Sequence, residues 1–188
     1  MDFSAHREAV ASQLVVGRSC TTGDAGLHAF LRDGTDDADL GTFGGTESVA
    51  YGVNDSGYVV GTAQSTGDGS FRAFVYDVVI KHQIGTFGGV NSAAYGINAA
   101  GILVGDANNT SFDREAFLYD GNTLYNLNAF ISPTIGWTIR DARDIDAHGA
   151  RSRGYFQNRF SSPIELASGL PMLKHHASGV GLGIIAAG

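Results

Sequence analysis

Carboxylates are the first residues in this chain with chemistry to offer. Asp33, Asp36, Asp37 and Asp39 crowd one short stretch. Hard cations such as Ca2+ take several oxygen ligands from a turn. The stretch lacks the alternating Asp order of a calcium loop, and no other part of the chain repeats it, so a solvated turn is expected. Asp113, Glu115 and Asp144 form a second set. Two carboxylates converging in one pocket would suit glycoside hydrolysis, but nothing in the spacing makes these converge. His175 and His176 are metal-ligand types, yet neighbouring side chains diverge along an extended chain, and a solvated pair is expected. Cys20 is the one cysteine; it is expected to be a small buried or half-buried residue rather than a nucleophile. Gly179-Val180-Gly181-Leu182-Gly183 has the wrong spacing for a nucleotide loop and no βαβ surroundings. There is no Gly-x-Ser-x-Gly elbow, His-Glu-x-x-His, P-loop or paired-cysteine motif. No catalytic residue, cofactor or metal is expected.

The elements that would position such residues come from a repeat. Gly41-Thr42-Phe43-Gly44-Gly45 returns 44 positions later as Gly85-Thr86-Phe87-Gly88-Gly89. Ala29-Phe30-Leu31 returns as Ala73-Phe74-Val75 and as Ala116-Phe117-Leu118. Gly17, Gly61 and Gly105 each close an apolar run. A fixed period of this size signals a modular repeat protein. A partial copy spans 9–17, and further copies span about 28–61, 72–105 and 115–149.

Within one copy the spacing predicts four short strands: Ala29 to Leu31, Ala38 to Thr42, Ser48 to Val53 and Tyr58 to Gly61. Phe43-Gly44-Gly45 begins a loop. Asn54-Asp55-Ser56-Gly57 and Asn98-Ala99-Ala100-Gly101 are turns closed by a glycine at positive φ. Asn54, Asn98 and Asp146 recur at that turn, where the side chain bonds its own backbone two residues on. Ala50, Gly52, Ala94 and Gly96 alternate with large residues, as suits a sheet face packed tightly on a neighbouring sheet. Phe30, Phe74 and Phe117 are expected in the core. Phe43 and Phe87 are the ligand-binding candidates: beside flexible Gly-Gly pairs, they would make an exposed aromatic row for stacking on sugar rings, the alternative being packing between repeats.

The expected fold class is all-β, with antiparallel four-stranded repeats stacked as a partial β-propeller; the alternatives are a β-solenoid or an irregular sandwich. Too few units are present for a comfortable ring, so a fragment with an open blade face, able to self-associate through open edges, is expected. The 188 residues are 43% hydrophobic with 27 glycines and three prolines, a folded composition rich in tight turns. The formal charge of −7 argues against a nucleic-acid partner, which needs a basic face. No stretch has the length of a transmembrane span, and Met1 to His6 lacks the basic start and apolar core of a signal peptide. After Gly149 the repeat pattern fails: residues 1–149 hold 8 Lys/Arg and 18 Asp/Glu, whereas 150–188 hold 4 and 1. A repeat domain over 1–149 and a divergent or frame-shifted tail over 150–188 are expected.

These spaced segments resemble the HAF repeat of predicted extracellular bacterial proteins. His28-Ala29-Phe30 matches its core, Asp39 to Gly45 resembles its Asp-Leu-Gly-Thr segment, and Ala50 to Gly61 and Ala94 to Gly105 resemble its Asn-turn segment. Pro133 and Gly136-Trp137-Thr138 look like the end of its final copy. The resemblance implies an extracellular or surface location and no settled activity. The expected function is a non-enzymatic module of a secreted or surface protein that binds glycans or other proteins; the alternative is a polysaccharide-acting enzyme on a propeller scaffold.

Overall fold

The computed structural model describes residues 14–21, 26–34, 36–67, 69–131 and 136–145, and the backbone alone of 146, 149–151, 173–178 and 181–186. The strands are β1 (Val15–Cys20), β2 (Leu27–Arg32), β3 (Asp37–Gly41), β4 (Gly44–Val53), β5 (Val59–Ser65), β6 (Phe71–Tyr76) and β7 (Lys81–Gln83). They continue with β8 (Gly88–Ile97), β9 (Leu103–Asn109), β10 (Arg114–Tyr119), β11 (Leu124–Asn126), β12 (Asp144–Asp146), β13 (Gly149–Arg151), β14 (Leu173–Ser178) and β15 (Gly181–Ala186). A 3-10 turn covers Leu127–Phe130. The protein is all-β with antiparallel sheets, and no helix among the described residues is long and apolar enough to cross a membrane.

Strands β1–β7 belong to one seven-stranded sheet and β8–β11 to a four-stranded one. The first divides into two leaves, so that β1–β3, β4–β7 and β8–β11 are each a meander of antiparallel neighbours. A single parallel bridge, Leu27 to Glu47, ties β2 to β4. A third sheet follows in the order β12-β13-β15-β14. The leaf is out of phase with the sequence copy. Copy 28–61 gives β2 and β3 to one leaf and β4 and β5 to the next. The hairpin turn at Asn54–Gly57 keeps β4 and β5 adjacent, whereas the chain after Gly41 crosses to a new leaf. Gly44 and Gly45, expected in a loop, instead open β4, with a register shift between Gly44 and Ser48.

Consecutive leaves pack face to face. Ala29, Leu31, Leu40, Ala50, Val59 and Phe74 fill the first junction. Val60, Ala73, Ala94, Leu103 and Phe117 fill the second. Val59 and Val60 are chain neighbours that bury into opposite junctions, which is why β5 is buried almost throughout. The expected tight approach is present: a Cβ on Gly52 would lie 2.9 Å from the Tyr95 carbonyl of the next leaf.

The recurring glycines have a packing reason. Gly61 lies opposite Phe74, and Gly105 opposite Phe117. A Cβ at either position would sit 2.0 Å from a backbone oxygen of the adjoining strand and under 3 Å from the partner ring. Each glycine therefore makes the slot its phenylalanine fills. Phe74 and Phe117 are fully buried, worth about 2–3 kcal/mol each. Phe30, over Gly17, is only half-buried, since its leaf has no preceding leaf against it among the described residues.

Buried polar side chains stitch the junctions. The Ser48 hydroxyl accepts from the Ala29 N–H at 2.8 Å and donates to the Gly41 carbonyl at 2.6 Å. Ser92 accepts from the Ala73 N–H at 2.9 Å, one leaf later. Gly57 and Gly101 adopt φ of 81° and 78° as expected. Asn54 accepts from the Ser56 N–H at 3.1 Å, as expected of the turn, and its amide also donates to the Asn98 carbonyl of the next leaf at 3.0 Å.

Candidate binding cleft

A cleft of about 580 Å3 opens across the three leaves, a size typical of small-molecule sites. Two of its rings, and an arginine beside it, stand at equivalent positions in successive repeats. Tyr51 follows Ala50, Tyr95 follows Ala94, and Arg143 follows Ala142. The Tyr51 and Tyr95 ring centroids are 5.1 Å apart with the planes tilted by 54°, a favourable aromatic arrangement. The Arg143 guanidinium lies 4.2 Å from the Tyr95 ring centroid on the same row. Tyr95 is thus held in place, while Tyr51 is 46% exposed.

Beneath the row lies a buried acid network. Asp106 and Asp141 are each 6% exposed, so their charges need partners. Asp106 accepts from the Tyr95 hydroxyl at 2.6 Å and from Arg114 Nε and Nη2 at 3.0 and 2.6 Å. Asp141 pairs with Arg143 Nε at 3.2 Å, with Arg114 Nη2 4.0 Å away. Arg114 therefore ties two buried carboxylates together. The bond to Asp106 raises the Arg114 pKa, and burial together with Asp106 pushes the Tyr95 hydroxyl well above its ordinary value. Both groups stay protonated near neutrality, so the network is a rigid floor rather than a proton relay.

At the rim stands Phe112, 69% exposed and at φ 65°. A bulky residue in the left-handed region is uncommon and strained. The turn that holds it is over-determined. Asn109 Oδ1 accepts from the Ser111 and Asp113 N–H groups, the Phe112 N–H donates to the Asn109 carbonyl, and the Asn108 amide donates to the Phe112 carbonyl at 2.9 Å.

The expected aromatic row is elsewhere. Phe43 and Phe87 are half-buried, pack against the first and second junction cores, and do not line the cleft. Phe43 lies under Lys81 Nζ, 4.6 Å from the ring centroid. Lys81 donates to the Leu40, Gly41 and Thr42 carbonyls at 2.8, 2.8 and 3.0 Å. Burial pulls its pKa down to about 8, against the opposing Asp39 carboxylate. In the acidic stretch, Asp39 pairs with His28 at 2.9 Å and Asp37 with Arg32 at 3.2 Å. Glu115 accepts from the Asn109 and Asn126 amides, and Asp144 accepts from the Ile145 N–H. Cys20, expected buried or half-buried, is exposed, because it ends the edge strand β1. The side chains of Asp146, His175 and His176 lie outside the described residues, as do Gly179 and Val180.

Sequence reasoning missed Tyr51, Tyr95, Phe112 and Arg114. The first two carry a signal, as aromatics 44 positions apart beside a repeated glycine. Among the described residues the Asp106–Arg114 pairing has no counterpart in the other copies, so the repeat itself could not flag it.

No curated protein and no solved structure matches the chain. The resemblance to the HAF repeat does not hold: residues 31–162 match a different family, described as "Protein of unknown function (DUF3466)". The expected extracellular location drew on that resemblance and loses its ground. The match also runs past residue 149, where the repeat pattern stops. Spanning more than half of its residues, that match places the chain in the DUF3466 family of proteins of unknown function.

Proposed function

We propose that the leaves are successive blades of a partial β-propeller, and that the chain is a non-enzymatic module whose cleft binds a glycan. In support of the architecture, four-stranded meanders recur and pack face to face through equivalent residues. In support of the role, the cleft offers open aromatic faces above a fixed polar floor, the lining usual for small-ligand sites. The observation that carries the reading is Phe112. Exposing most of a large ring in a strained backbone costs stability, and such strain clusters where ligands are gripped. Tyr51 provides a second open ring across the same cleft. Of the carboxylates named for the alternative, a polysaccharide-acting enzyme, Glu115 is engaged otherwise: both its oxygens accept amide bonds. A glycan array probed with the full chain tests the reading. Saturable binding without release of reducing ends supports a binding module. Released fragments would favour the enzyme, and the absence of saturable binding to any glycan would end the proposal.

A further inference from the structure

The cleft holds charges that the fold does not use. Arg114 is tied to Asp106, and Arg143, beside the cleft, to Asp141. Arg18 differs. It sits on β1 opposite Ala29, whose side chain is buried in the junction toward the second leaf, so Arg18 shares the face that looks onto the cleft. It lines the cleft with Tyr51 and Phe112, is exposed, and makes no ion pair among the described residues. Glu47 also lines the cleft without an ion pair. The two are not within pairing distance of each other, although β1 and β4 flank the same strand, β2.

Resting on the glycan-binding reading, we infer that Arg18 receives the acidic group of a charged sugar whose ring stacks on Tyr51. A guanidinium presents a planar fork matched to carboxylate and sulfate oxygens. Arg18 has that fork uncommitted beside an open ring, so one sugar unit can use both. The paired Asp106–Arg114 charges cancel locally, which leaves Arg18 as the cation available to an anionic ligand. Glu47 opposes the same anion, and this gives the inference a second, opposite sign. A neutral sugar would use Tyr51 and Phe112 but gain nothing from Arg18.

The test titrates the full chain with three probes: tetragalacturonate, a sulfated cellotetraose and plain cellotetraose. The expected result is tighter binding of an acidic probe than of the neutral one. Arg18→Gln should weaken the acidic probe by about tenfold, the scale of one charge-assisted hydrogen bond, and leave the neutral probe unchanged. Arg18→Lys should restore part of the loss, and Glu47→Gln should tighten the acidic probe several-fold, with both effects shrinking as salt rises. Which acidic probe binds more tightly identifies carboxylate or sulfate as the natural group. Equal binding of neutral and acidic probes, or no effect of Arg18→Gln, overturns this inference while the glycan-binding reading stands. Failure of all three probes together with a blank glycan array overturns both.

Discussion

Val78 permits a worked test of the backbone geometry. Three hairpin turns share a leading aspartate: Asp33-Gly34, Asp77-Val78 and Asp120-Gly121. Gly34 and Gly121 sit at φ 94° and 95°, and Val78 occupies the equivalent place at 72°. The left-handed region costs an L-residue about 1–2 kcal/mol, and a β-branched one belongs at the upper end. Val78 is 50% exposed, so removing it forfeits about half of a valine's burial, or about 0.8 kcal/mol. Asparagine tolerates the left-handed region without glycine's added chain entropy. Val78→Asn should therefore stabilise the protein by about 0.5–1 kcal/mol, raising Tm by about 1–4 °C for a chain of this size. Urea or thermal denaturation reads it directly. A Val78→Asn protein less stable than wild type by about 1 kcal/mol would refute the assigned backbone conformation. Phe112→Asn is the companion: the residue is 69% exposed, so stability should hold within about 1 kcal/mol while glycan binding falls. Val78→Asn should leave binding untouched.

Other consequences concern the junctions and the turns. Gly105→Ala should destabilise by more than about 2 kcal/mol in denaturant melts, because the new Cβ meets the Ala93 oxygen and the Phe117 ring at once; Gly85→Ala, which meets nothing within 4 Å, is the control. Lys81→Met removes the donors to three carbonyls and should cost about 1–3 kcal/mol. The Asp77 carboxylate, bonded by the Ile80 and Val79 N–H groups and by His82, titrates at about 2 rather than 3.8. The folded state then binds fewer protons than the unfolded state between those values, so this contribution is complete above about pH 5 and fades as pH falls toward 2. An acid titration of stability should lose that component in Asp77→Asn; an unchanged acid slope would count against the turn as described.

The parts legible in the sequence were those that depend on near neighbours. Alternation gave β4, β5, β8 and β9, and the Asn-to-Gly turns predicted positive φ at Gly57 and Gly101. Ala50, Gly52, Ala94 and Gly96 announced a close face because only small residues permit one. Phe74 and Phe117 were core as expected. What escaped depends on which leaf meets which. The grouping of β4 to β7 into one leaf is set by where short turns keep strands adjacent, and the repeat period is blind to that phase. Phe30 follows the same repeated alanine as Phe74 but lacks a covering leaf among the described residues. The Asp106, Arg114 and Tyr95 bonds join strands of one leaf through long side chains at positions that differ between copies. Phe112 escaped because its turn departs from the preceding repeat, where Gly67 and Gly69 stand nearby.

The most direct measurement takes the strongest glycan from the array and compares its affinity for wild type, Tyr51→Ala and Phe112→Asn by calorimetry, with thermal melts confirming that each variant is folded. If the cleft between the leaves is the binding site, each variant loses affinity about tenfold or more while remaining folded. Full affinity in both folded variants would place the ligand elsewhere and contradict the account.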